Sequence, residues 1–92
     1  MGKTIEELQR TLGLFFKHAY YGRASLTLLY EKSNEIEREI RGISPEFETI
    51  KELGDLVDAL GFAYELHDED TRRDTAVKAK LYHHYTNLLR ES

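Results

Sequence analysis

The sequence contains no cysteine, one proline, and no apolar run of the roughly 18 residues that a membrane span needs. Each absence closes a class. Without cysteine there is neither a disulfide framework nor a thiolate zinc site. Without a long apolar run no membrane contact through a spanning helix is expected. Lys3, Glu6, Glu7 and Arg10 interrupt the first apolar residues, so no signal peptide is expected and the expected location is cytoplasmic. Positive charge is also short. There are 13 Lys and Arg against 17 Asp and Glu, a net charge of −4, where nucleic-acid binding favours a basic footprint. No nucleic-acid partner is expected.

What is present fits helices. Leu, Glu, Lys and Arg are abundant and β-branched residues are few, which points to an all-α protein. At 40% hydrophobic residues the chain is too apolar for disorder. Its 92 residues make one domain, 1–92, with a modest core.

Thr4-Ile5-Glu6-Glu7 reads as a capping box that opens the first helix. Ile5, Leu8, Leu12, Phe15 and Ala19 follow at helical spacing. Gly22 then suits a C-cap and Ser25 the next N-cap. The same spacing also runs on in phase through Leu26, Leu29, Ser33, Ile36 and Ile40. Two architectures follow. A break near Gly22 gives an antiparallel four-helix bundle. No break gives three helices, the first running from 5 to 41 over about 55 Å. The break is preferred, because helices of similar length close a bundle without an overhang. Gly42 ends the next helix, Ser44 and Pro45 start the third, and that helix is expected to reach Leu66. Asp70 is the expected cap of a fourth helix from Thr71 to Arg90, with Val77, Leu81, Tyr85 and Leu88 inward.

The chemistry-bearing residues are acids one turn apart. In the third helix the inward stripe is expected to be Ile50, Leu53, Val57, Leu60 and Tyr64, with Leu56, Ala59 and Ala63 extending it. At about 100° per residue, Glu52 falls between Ala59 and Ala63, and Asp55 lies beside Phe62. A semi-buried acid needs a partner such as a cation. In the second helix Glu31 and Glu35 are also one turn apart. On geometry alone they read equally as a solvated face with Lys32 and Arg38.

The order of residues adds to this. Ser25-Leu26-Thr27-Leu28-Leu29-Tyr30-Glu31-Lys32-Ser33-Asn34-Glu35-Ile36 and Glu52-Leu53-Gly54-Asp55-Leu56-Val57 resemble the motif helices of the MazG-like all-α nucleoside triphosphate pyrophosphatases. That family carries Glu-Glu-x-x-Glu and, after a gap, Glu-x-x-Asp. Glu31 and Glu35 match the outer acids of the first motif, Glu52 and Asp55 match the second, and 16 residues separate Glu35 from Glu52. The resemblance covers roughly residues 25–64. It implies a four-helix module that dimerises or tetramerises. It also implies Mg²⁺ held by Glu31, Glu35, Glu52 and Asp55, a bound nucleotide, and hydrolysis of a nucleoside triphosphate to a monophosphate and pyrophosphate. Lys32 departs from the pattern. It stands where the family has its middle Glu, and an ammonium there repels Mg²⁺. The functional expectation is therefore a MazG-like pyrophosphatase or an inactive relative. The alternative is a non-catalytic helical interaction or oligomerisation protein.

Lys17, Arg23, Lys78 and Lys80 are candidate cations for a phosphate ligand. Phe15, Phe16, Tyr20, Tyr21, Tyr30, Tyr64, Tyr82 and Tyr85 read as core and oligomer contacts that are also able to stack a base. No histidine has a Glu three residues before it, as a di-iron bundle requires. His67 is read as part of a polar link. Of adjacent His83 and His84, one is expected at the core edge and the other exposed. Leu53, Leu56, Val57, Ala59, Leu60, Phe62, Ala63, Tyr64 and Leu66 make the third helix apolar over more than half its circumference, so a homodimer covering part of it is expected.

Overall fold

A computed structural model describes residues 4–42, 51–66 and 74–90, with only the backbone of Lys51 and Glu52. The described residues form four α-helices: α1 (Ile5–Tyr20), α2 (Leu26–Arg41), α3 (Lys51–Ala63) and α4 (Thr75–Leu89). The chain is all-α and turns at Gly22.

The ends of the helices explain the break. Thr4 caps α1, its hydroxyl accepting from the Glu7 amide. Past Tyr20 the chain takes a Schellman turn. The Arg23 amide donates to the His18 carbonyl at 2.7 Å and the Gly22 amide to the Ala19 carbonyl at 3.1 Å. That turn needs a left-handed residue, and Gly22 supplies φ +73°. Ser25 then caps α2 by accepting from the Leu28 amide at 2.9 Å. The continuous apolar phase is real, but the phase of a stripe does not require a continuous helix. Leu26, Leu29, Ser33 and Ile36 are buried after the turn as Leu8, Leu12 and Ala19 are before it.

α4 starts later than expected. Asp74 is extended and caps it by accepting from the Ala76 amide, so the helix does not pass back through residue 74 to Thr71. The Asp74 carboxylate faces the open amides of this start. α3 stops at Ala63, short of Leu66, and Tyr64 and Glu65 form a turn. The expected starts at Ser44-Pro45 and Asp70-Thr71, like His67, lie outside the described residues.

α4 runs antiparallel along α1, and theirs is the most extensive contact of the bundle. Tyr20 lies by Lys78 and Tyr82 at one end, and Gly13 by Leu88 and Leu89 farther along. At Gly13 the side chains of α4 approach closely. A Cβ there would stand 2.8 Å from Leu89 Cγ and 3.1 Å from Leu88 Cβ. Gln9, Gly13, Phe16 and Tyr20 share this row, which is why Phe16 is fully buried and Phe15 only partly. The expected stripe through Phe15 is the side that turns towards α2.

α3 is rotated in the same way. Leu53, Leu56, Ala59, Leu60, Phe62, Ala63 and Leu66 are buried, while Val57 is 50% exposed and Tyr64 only partly covered. The buried arc is thus centred near Ala59 and Ala63, whose small side chains permit close approach, and not on the Leu53–Val57–Tyr64 line. One chain covers nearly all of this face by itself. That removes the packing argument for a partner on α3.

Candidate functional site

α2 and α3 pack against each other, and the Tyr64 side of α3 meets Tyr30 of α2, whereas the Phe62 side, whose row Asp55 shares, faces α1 and α4, so Asp55 is not brought to the acids of α2. On α2 the inward face is Leu26, Leu29, Ser33 and Ile36. Ser33 is buried and its hydroxyl donates to the Leu29 carbonyl at 2.8 Å, which satisfies it without a ligand. Glu31 and Glu35 are exposed. Lys32 lies between solvent and core, and its ammonium sits 2.8 Å from Glu35 Oε2 and 5.5 Å from the centre of the Phe15 ring. The residue of the first motif that borders the interior is therefore Lys32, held by a carboxylate below and an aromatic face on α1.

On α3, Asp55 is half-buried. It shares the helical row of Ala59 and Phe62 and so stands on the buried arc. Helical register places position 52 on the same arc, one turn earlier, but the Glu52 side chain lies outside the described residues. Among the described residues, no three His, Asp or Glu side chains cluster closely enough to hold a metal ion. Glu31 is exposed, and Glu35 is engaged by an ammonium.

Nearby, Tyr64 packs edge-on against Tyr30 with ring centres 5.7 Å apart. Its hydroxyl is shielded from solvent and has no hydrogen bond of ordinary geometry among the described residues. Burial first, then the Glu37 carboxylate, pushes its pKa up. Glu37 itself lies 3.5 Å from Arg41.

The remaining aromatics do not converge on the acids. His84 stacks on Phe62 at 4.9 Å and on Phe16 at 5.8 Å, while His83 is exposed. Burial lowers the His84 pKa, and His83 and Lys80 add to that while Asp58 opposes it. Tyr20, Tyr21, Tyr82 and Tyr85 form a cluster at the α1–α4 seam, with neighbouring ring centres 5.0–6.4 Å apart. Lys17 lies over Tyr85, Lys78 over Tyr20 and Arg23 over Tyr21, each at 5.8–5.9 Å. Lys80 sits apart, over Phe62. Three of the four candidate cations thus gather on tyrosines. The sequence names these tyrosines and cations separately, and the antiparallel pairing of α1 with α4 joins them.

The chain matches no family model, and neither a curated protein nor a solved structure is significantly similar to it. No described helix is long and apolar enough to cross a membrane.

Proposed function

We propose that this chain is a non-catalytic helical bundle of MazG-like design, in which the Lys32 ammonium takes the place of a divalent cation and the protein works by association with itself or a partner. The carrying observation is the Lys32–Glu35 contact at 2.8 Å on the edge of the core. The pair is one turn of helix apart and Glu35 is exposed, so the ammonium balances a carboxylate at the surface. An ammonium balances that charge permanently, but it has neither the Lewis acidity nor the open coordination positions that phosphate hydrolysis uses. The described donors fit such a balanced pair better than a Mg²⁺ site.

The test is Lys32→Glu. Wild type is expected to release no pyrophosphate from nucleoside triphosphates with Mg²⁺ present, and to melt at the same temperature with or without Mg²⁺ or Mn²⁺. The variant, with a further acid beside Glu35, is expected to be less stable alone and to gain stability with metal. Such stabilisation grows as RT ln(1+[L]/Kd), about 2.7 kcal/mol at a hundredfold excess over Kd. A variant indifferent to metal ends the MazG-like reading of this face.

The second reading is an intact Mg²⁺-dependent pyrophosphatase on Glu31, Glu35, Glu52 and Asp55. Its support is the half-buried Asp55 on the inward arc of α3. Mg²⁺-dependent pyrophosphate release by the wild type, abolished by Asp55→Asn, decides for it.

A further inference from the structure

The outer face of α4 near its start carries Thr75, Lys78, Ala79 and Tyr82 at 3-4 spacing, all exposed. With Tyr20 of α1 they line a shallow groove of about 450 Å³. Thr75 and Ala79 are the small residues of its lining. Tyr82 stands up at 47% exposure, and Tyr21 beside the cluster at 55%. Lys78 and Arg23 make no ion pair among the described residues; their cations rest on tyrosine faces. A surface of exposed tyrosines under unpaired cations, on a chain of net charge −4, selects an acidic partner.

The chain carries such a segment. Glu65, Asp68, Glu69 and Asp70 place four acids within six residues, and this run ends five residues before Thr75 in the sequence. Groove and acidic run therefore neighbour each other along the chain, near the start of α4. When a patch and its complement belong to the same chain, a two-fold axis lets each subunit give its run to the other's patch. The contact then closes as a dimer and does not propagate.

We propose that the Tyr20–Lys78–Tyr82 groove is the dimer contact of this protein and takes the 65–70 acidic run of a second copy. This rests on the association half of the functional reading above, and is independent of Lys32. The contact is polar and partly electrostatic, so salt weakens it. It replaces α3 as the expected interface.

The experiment is sedimentation of the full chain at low and high salt, with circular dichroism confirming helicity throughout. Wild type is expected to dimerise, less tightly at high salt. Lys78→Glu and Tyr82→Ala alter exposed side chains and are each expected to weaken the dimer by about tenfold or more, as loss of an interface anchor does. The combined variant Asp68→Lys, Glu69→Lys, Asp70→Lys is expected to be monomeric alone. Mixed with Lys78→Glu, it is expected to form a heterodimer, because each altered surface then meets its opposite charge. A wild type that stays monomeric overturns the proposal. So does a dimer indifferent to Lys78→Glu and Tyr82→Ala, or a mixture that does not pair, which would place the run on its own subunit or elsewhere. A monomer that binds a single-stranded oligonucleotide through Lys78 would assign the groove to nucleic acid and also overturn it.

Discussion

The two flanks of α1 are built differently. Towards α4 it presents Gln9, Gly13, Phe16 and Tyr20, and the Leu88 and Leu89 side chains come close enough to crowd even a Cβ at Gly13. Towards α2 it presents Leu8, Leu12 and Phe15, and an ammonium lies over the outermost ring. The first flank is fixed by shape, with a glycine notch and stacked rings. The second is fixed by ordinary aliphatic burial and edged with charge. The lesson concerns where information sits. The motif-like acids lie on α2 and α3, yet the tightest fit and the aromatic clustering belong to α1 and α4, which carry no motif.

Substitutions sharpen that contrast. The largest effect is expected at the notch. Gly13→Val puts a branched side chain where even a Cβ meets Leu89 Cγ at 2.8 Å, and is expected to cost about 1–3 kcal/mol in urea unfolding. Gly61 is the control. It too lies in a helix, with nothing within 4 Å of an added Cβ, so Gly61→Ala is expected to stabilise by about 0.8–1 kcal/mol through helix propensity alone. If Gly13→Ala gains as much as Gly61→Ala, the seam is looser than its geometry.

Next comes the turn that separates the flanks. Gly22→Ala forces a Cβ into left-handed backbone and is expected to cost about 1–2 kcal/mol, with the melting temperature as readout. On the charged flank the effect should be smaller. Lys32→Met removes a partly exposed ion pair while keeping the apolar stem, and is expected to change stability by less than about 1 kcal/mol.

The smallest effect is a pH dependence. His84 has a lowered pKa in the fold because burial between Phe16 and Phe62 disfavours its charged form. The unfolded chain binds the proton more readily, at about pH 6.5. Stability from this group is therefore full above that pH and is lost as pH falls from there towards the lower folded value. His84→Phe keeps the stack and should remove this share of the decline. The test is the difference between the two melting curves from neutral to mildly acid pH.

Much of the fold is legible in local chemistry. Thr4, Gly22, Ser25 and Gly42 mark helix ends, because caps and left-handed turns depend on neighbours a few residues away. The start of α4 is harder. Asp70 and Asp74 both suit a cap by residue type, and the backbone shows Asp74 serving as one. Helical phase fixes which residues lie together but not which partner they meet. Phe15 and Phe16 differ by one step around α1, and the choice between them depends on α4, some sixty residues later. Val57 appears inward until Ala59 and Ala63 draw the neighbouring helices towards their own side of α3. The candidate acids show the same limit. Spacing sets Asp55 beside Phe62 at the edge of the polar face, and it is half-buried, whereas the setting of Lys32 depends on the Phe15 ring beneath it.

The long reach of the α1–α4 seam has a kinetic consequence. Gly13 and Leu88 are held together across nearly the whole chain, so the contact forms only after the intervening segment has closed as a loop. Closure over such a distance is entropically slower than the α1–α2 hairpin, whose turn is local. The hairpin would then form early and the seam late. Damage at the notch should show mainly as faster unfolding, and damage at the Gly22 turn as slower folding.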